Sequence, residues 1–128
     1  MEITVGMKGS VSTTVEREDT AAEVGSGNLL VYATPCMVAL MEGAACEAIA
    51  GCLPEEKTSV GIALEISHLS ATPVGMDVRA EAEVTQVEGS VITFKISAFD
   101  EAGLIGEGTH KRAVLTAQKF LDKTYAKL

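Results

Sequence analysis

The sequence predicts an α+β domain in which one curved antiparallel sheet wraps a single long apolar helix. Three observations predict it. Apolar residues recur with a period of two near the N-terminus and again after residue 57. Between these regions lies a long segment, Thr34 to Pro54, that is apolar around nearly its whole circumference. The later period-two segments are joined by short turns, which suit antiparallel neighbours rather than parallel ones.

Each element follows from its own pattern. Over residues 7–16, Met7, Gly9, Val11, Thr13 and Val15 fall on one side and Lys8, Ser10, Ser12, Thr14 and Glu16 on the other, a first strand. Glu18 to Asn28 is polar, with Gly25-Ser26-Gly27 near its end, and reads as a loop. Thr34-Pro35 then makes a good N-cap and first-turn pair, and Gly51 and Pro54 mark the far end of a helix. Its Ala- and Met-rich interior predicts burial on most sides. Beyond it, Val60, Ile62, Leu64, Ile66 and His68 are expected on one face of a strand. Val78, Ala80, Ala82 and Val84 form a second row opposite Asp77, Arg79, Glu81 and Glu83, and Ile92, Phe94, Ile96 and Ala98 a third. Asp100-Glu101-Ala102-Gly103 turns the chain into a last strand over 104–116, and Ala117 to Leu128 suits a short terminal helix. A sheet curling around one apolar helix is the hot-dog arrangement, and it buries both partners. Its edge strands would be protected by pairing two subunits into one continuous sheet, so a homodimer is expected, with a dimer of dimers as the next assembly.

The bulk numbers fit this picture. A chain of 128 residues suits one domain spanning 1–128 with one core, and 47% apolar content argues against disorder. Trp is absent and aromatic residues are few, so Val, Ile, Leu, Ala and Met must fill the core. The net charge of -8, with no Lys/Arg-rich run, makes nucleic acid and anionic membranes poor partners. Lys111-Arg112 is the only adjacent basic pair. Cys36, Cys46 and Cys52 fit no zinc or CxxC spacing and read as small buried hydrophobes, so no metal is expected and a reducing compartment follows. The N-terminus resembles no signal peptide, no charge-free run of 18 apolar residues occurs, and the cytoplasm is the default location.

Chemistry concentrates on a few residues. Glu42 sits among Val38, Ala39, Ala45 and Cys46 at helical spacing, with no Lys or Arg in the helix to pair with it. An unpaired carboxylate there must take hydrogen bonds, shift its pKa or face a cleft. Glu47, flanked by Gly43 and Gly51, reaches solvent instead. His68 continues the bulky row of its strand and would face the helix; a carboxylate–imidazole pair is a common way to orient a general base. Thr34 caps the helix beside its free N–H groups, which could hold an oxyanion. Eight helical residues give about 12 Å of rise and roughly 80° of rotation, so Thr34 and Glu42 cannot touch on one straight helix. Either the helix starts later, near Val38, or the chain departs from helix within the segment, or a long ligand bridges the two; the late start is the preferred reading. Gly103, Gly106 and Gly108 lack phosphate-loop spacing, and His110 would line a cleft or a dimer seam.

These stretches resemble the fluoroacetyl-CoA thioesterase-like branch of the hot-dog superfamily. The resemblance is carried by Ala33-Thr34 through Met37 to Glu42, Val60-Gly61 to Ser67-His68, Ala71 to Gly75, and Gly106 to Val114. It implies hydrolysis of a small acyl-CoA thioester at a site on the dimer interface, with Thr34, Glu42 and His68 as the catalytic set. It implies no cofactor beyond the CoA of the substrate, which Gly61, His110 and Arg112 would help to bind. The member that gives the group its name has an aromatic lid before the helix. Here Ala21 to Tyr32 holds no Phe and one aromatic residue, Tyr32, which implies a different small acyl group. Two other readings fit the same fold. One is an enoyl-CoA hydratase or dehydratase, ranked lower because Tyr32 to Leu40 contains neither Asp nor His. The other is a non-catalytic binder of acyl-CoA or another small ligand.

Overall fold

A computed structural model describes residues 2–128. The elements run β1 (Lys8–Thr14), α1 (Ala21–Val24), α2 (Thr34–Ile49), β2 (Lys57–His68), β3 (Asp77–Glu88), β4 (Val91–Asp100), β5 (Gly103–Thr116) and α3 (Ala117–Tyr125). The five strands form one antiparallel sheet in the order β1-β3-β4-β5-β2, curled around α2. The α+β class, the central helix and the short terminal helix are as the periodicity predicts. The polar segment before α2 is not wholly loop: it carries a 3-10 turn at Arg17–Asp19 and the single-turn α1.

The core forms where apolar rows of the sheet meet the helix. Val78, Ala80, Ala82 and Val84 of β3 and Ile92, Phe94, Ile96 and Ala98 of β4 are all buried, against Met37, Met41, Ala44, Ala45 and Ile49 of α2. Removing each such large side chain from water stabilises the fold by about 1.5–3 kcal/mol. The close approach of β1 to α2 depends on Gly9, where any Cβ would run into the Ala44 carbonyl and the Ala48 backbone. The stretch Thr34–Cys52 has the length and apolarity of a membrane span, yet one side of it is covered by the sheet.

Four expectations are corrected. The helix starts at Thr34 and runs unbroken to Ile49, so neither a late start nor an interruption relieves the separation of Thr34 and Glu42. Ala33, not Thr34, is the N-cap; Thr34 and Pro35 occupy the first two helical positions. The helix is not buried on most sides, because Thr34, Pro35, Ala39, Cys46 and Ala50 leave one stripe open. The cysteines are accordingly not all buried: Cys46 is exposed on that stripe, and Cys36 and Cys52 are intermediate.

The fourth correction concerns β2. Its register against β5 shifts between Gly61 and Ala63, so Ile62 is an extra, bulged residue. A one-residue bulge reverses which side chains face the helix. Leu64, Ile66 and His68 share a face with His110, Gly108 and Gly106, whereas Val60 pairs with Ala113 on the other face. Gly61 takes the helix-facing place opposite Arg112. The predicted row Val60-Ile62-Leu64-Ile66-His68 is therefore broken at its start, and the break is what builds part of the site.

Candidate active site

The expected triad is divided between two places on the protomer. At the start of α2, Thr34 Oγ1 lies 2.8 Å from His68 Nδ1 at the end of β2. Two turns further along α2, Glu42 Oε2 accepts a hydrogen bond of 3.1 Å from Arg112 Nη1. Among the described residues no hydrogen bond joins the two pairs. Their separation is that of eight helical residues, about 12 Å along the axis.

The Thr34–His68 pair stands in a pocket of about 290 Å³ lined by Ala21, Ser26, Val31, Tyr32 and residues 69–71. Backbone bonds fasten the two sides of the pocket together: Tyr32 N–H donates to the Thr72 carbonyl, and Val31 bridges to Pro73. Burial pushes the His68 pKa down, with the Ser70 backbone opposing it, so the ring is neutral near pH 7. With the lone pair on Nδ1, the imidazole accepts the Thr34 hydroxyl proton. The Nε2 atom is buried with no hydrogen-bond partner among the described residues. The helix start offers fewer donors than a capped terminus would. Pro35 has no N–H, and the N–H groups of Cys36 and Met37 donate to the Ala33 carbonyl. The Thr34 N–H has no partner among the described residues and remains as a donor beside its own hydroxyl. Tyr32 is buried and donates its hydroxyl to the Cys36 carbonyl at 3.2 Å, so it is a packing residue rather than a lid.

The Glu42 place is a denser polar cluster. Arg112 comes from β5, seventy residues from Glu42 in sequence, which is why the helix alone suggested an unpaired carboxylate. Its Nε donates to Ser59 Oγ at 2.9 Å, its Nη2 to the Ser59 carbonyl at 3.0 Å, and its Nη1 also to His110 Nε2 at 3.2 Å. All its donor nitrogens are thus engaged, and its side chain is only 8% exposed against 36% for Glu42. His110 Nδ1 lies 2.8 Å from the Ala63 carbonyl next to the bulge, and its ring packs against Phe94. Burial, first, and the Arg112 charge push the His110 pKa down, against the Ala63 carbonyl and Glu42. His110 is 1% exposed in the protomer, where it borders a hollow with Ala63, Leu64, Glu65, Thr109 and Lys111. Gly61 is required here because a Cβ would collide with Glu42 Oε2 and stand 3.3 Å from both Arg112 Nη1 and His110 Cε1. Of the residues that would bind substrate, Gly61 and Arg112 therefore seat Glu42. Ser59 and the Ala63 carbonyl belong to the same cluster without having been singled out in the sequence. No side-chain pattern distinguishes them until the bulge turns this part of β2 toward Arg112.

Among the described residues no group of three or more His, Cys, Asp or Glu side chains could hold a metal ion. The chemistry available is that of hydroxyl, imidazole, carboxylate and guanidinium.

Known proteins share both the sequence pattern and the fold of this chain. Residues 15–118 match the model of the fluoroacetyl-CoA-specific thioesterase family. The fluoroacetyl-CoA thioesterase of Streptantibioticus cattleyicolor is 42% identical over 97 residues, covering 76% of this chain and 70% of that protein. A mutant fluoroacetyl-CoA-specific thioesterase solved with fluoroacetate and CoA superposes with a TM-score of 0.87 at 35% identity, covering 92% of this chain and 99% of that one. A hot-dog-like protein from Thermanaerovibrio acidaminovorans superposes with a TM-score of 0.86 at 25% identity, covering 97% and 92%. With the family model spanning most of the chain and the fold matching throughout, this protein belongs to the fluoroacetyl-CoA-specific thioesterase family of hot-dog proteins.

Proposed function

We propose that this acyl-CoA thioesterase hydrolyses short acyl-CoA thioesters at a site split between two subunits, with Thr34 and His68 from one and Glu42, seated by Arg112 and Gly61, from its partner. The observation that carries the proposal is the 2.8 Å Thr34–His68 bond standing apart from the Glu42–Arg112 pair.

The edge strands favour that assembly. The β1 edge carries Lys8, Ser10, Ser12 and Thr14, whereas β2 leaves Ile62 52% and Leu64 40% exposed. An apolar edge of this kind calls for a partner. Pairing two β2 strands about a two-fold axis near Leu64 runs them antiparallel and sets the Gly61 end of one beside the His68 end of the other. The same axis brings the open stripe of α2, with Pro35, Ala39 and Cys46, against its own copy. Two pairs about 12 Å apart on one helix thereby become two compact sites.

In such a site His68 Nδ1 takes the Thr34 proton as Thr34 Oγ bonds to the thioester carbonyl carbon. The Thr34 N–H faces the developing oxyanion. The carbon–sulfur bond breaks, and the proton passes from the imidazolium to the CoA thiolate. Water, deprotonated by the same imidazole, then releases the acid and restores Thr34. Glu42, fixed by Arg112, orients that water from across the seam. The pocket has no aromatic lid, since Tyr32 is packed away, and this suits an unspecialised short acyl group over fluoroacetyl.

The test is the release of free thiol from acetyl-, propionyl-, butyryl- and fluoroacetyl-CoA. Turnover of at least one non-fluorinated short acyl-CoA, abolished by His68→Ala, is expected. Absence of turnover on all four overturns the proposal.

A further inference from the structure

The cluster behind Glu42 contains a titratable group for which the reaction has no direct use. His110 is buried in the protomer, and both ring nitrogens are engaged by protein atoms. The Ala63 carbonyl can only accept, so Nδ1 carries the proton. Arg112 Nη1 can only donate, so Nε2 presents its lone pair. One neutral tautomer satisfies both partners. A second proton would place two donors face to face at Nε2, with Glu42 Oε2 only 4.0 Å away.

We propose that His110 is a positioning residue: in its Nδ1–H neutral form it locks Arg112 in place to hold the Glu42 carboxylate, and when protonated it draws that carboxylate away from Arg112. The groups facing the ring support this direction. From α2 comes Glu42, from β5 Arg112, from β2 the Ser59 hydroxyl and the Ala63 carbonyl, and from β4 the uncharged Phe94 ring. Lys111 and Glu65 lie on the other face of the sheet by register. Among the described residues Glu42 is thus the one carboxylate in reach of an imidazolium at this position, and it is the group on which the split site depends.

The inference deepens the thioesterase reading and rests on it for its kinetic consequences, so the test has an arm independent of turnover. Two variants separate the roles of the nitrogens. His110→Asn can still donate to the Ala63 carbonyl but offers Arg112 no acceptor. His110→Gln can reach Arg112 with its amide oxygen and does not titrate. In full-length protein labelled with 15N-histidine and 13C-glutamate, His110 is expected as the Nδ1–H tautomer at pH 7.5. The Glu42 carboxylate resonance is expected to show an inflection on acidification that coincides with His110 protonation and is absent from His110→Gln. In the kinetic arm, kcat on a short acyl-CoA falls about tenfold or more in His110→Asn with KM little changed. His110→Gln recovers most of that loss and removes one inflection from the acid limb, leaving that of His68. A residue that merely packs would lower the melting temperature in both variants and leave the Glu42 titration untouched. An Nε2–H tautomer, or a Glu42 resonance indifferent to His110, overturns the proposal. If these spectroscopic results hold while no acyl-CoA is turned over, it is the thioesterase reading that fails.

Discussion

Replacing Gly61 by Ala adds one carbon at the point where β2, α2 and β5 meet. That carbon would occupy the space of Glu42 Oε2 and press on Arg112 Nη1 and His110 Cε1, each at 3.3 Å. Glu42 is partly exposed, so its carboxylate has somewhere to go, and moving it is the cheapest response. The move breaks the 3.1 Å bond to Arg112, whose buried guanidinium keeps Ser59 and His110 but loses its counter-charge. A hydrogen bond to a charged group contributes about 1.5–3 kcal/mol, and the exposure of Glu42 lowers the effect, so a stability loss of about 1–2 kcal/mol is expected. The effect on turnover should be larger, because a displacement of about 1 Å at a reacting group can cost about a hundredfold. Urea melts and thiol-release kinetics on the same preparation measure both. The fitting control is Gly43→Ala inside α2, where the added carbon meets Val11 Cγ2 of β1 at an ordinary 3.6 Å, and which should raise stability by about 0.5–1 kcal/mol. Full activity and unchanged stability in Gly61→Ala would refute the reasoning that this glycine seats Glu42.

Other predictions bear on separate parts of the site. Thr34→Val keeps the shape of the helix start but removes the Oγ1–Nδ1 bond, and kcat should fall about 10²–10⁴-fold in steady-state assays with the fold intact by circular dichroism. Burial lowers the pKa of both His68 and His110 from the ordinary 6.5, so below 6.5 the unfolded chain binds protons that the folded chain does not. Stability should therefore rise with pH through that window and fall on acidification, as chemical denaturation from pH 7.5 down to 5 will show. Leu64→Asp places a charge on the apolar edge of β2; if the proposed dimer forms through that edge, analytical ultracentrifugation should find the wild type dimeric and the variant monomeric, with loss of thioesterase activity.

Much of this architecture is legible in the sequence because burial imposes a period. The rows Val78 to Val84 and Ile92 to Ala98 face the helix as their alternation requires, since nothing interrupts the pleat over those residues. In β2 the same rule fails because a bulge at Ile62 adds a residue, and no local pattern in Val60 to Leu64 announces it. The partner of Glu42 was equally hidden. Arg112 is joined to it by the order of the strands and not by sequence distance, so reading the helix by itself makes the carboxylate look unpaired. The open stripe of α2 is a different case: an all-round apolar helix implies cover on every side, and in the protomer the sheet covers only one. Glu42 stands out in the sequence as a misplaced carboxylate and His68 as a polar end to an apolar row, while Thr34 reads as a helix cap that the family resemblance adds to them; their division into two places on one protomer appears only in three dimensions.

The most direct test of the split site is complementation between two inactive variants. Thr34→Ala and Glu42→Gln should each be inactive alone. If Thr34 and His68 work with the Glu42 of the partner subunit, a mixed dimer contains one wholly intact site and one doubly altered one. Co-refolding the two variants in equal amounts then gives mixed dimers as half of the population, and about one quarter of wild-type thioesterase activity should return. Activity that remains at the level of the separate variants, with mixed dimers shown to have formed by differential tagging, would contradict a site built from two subunits.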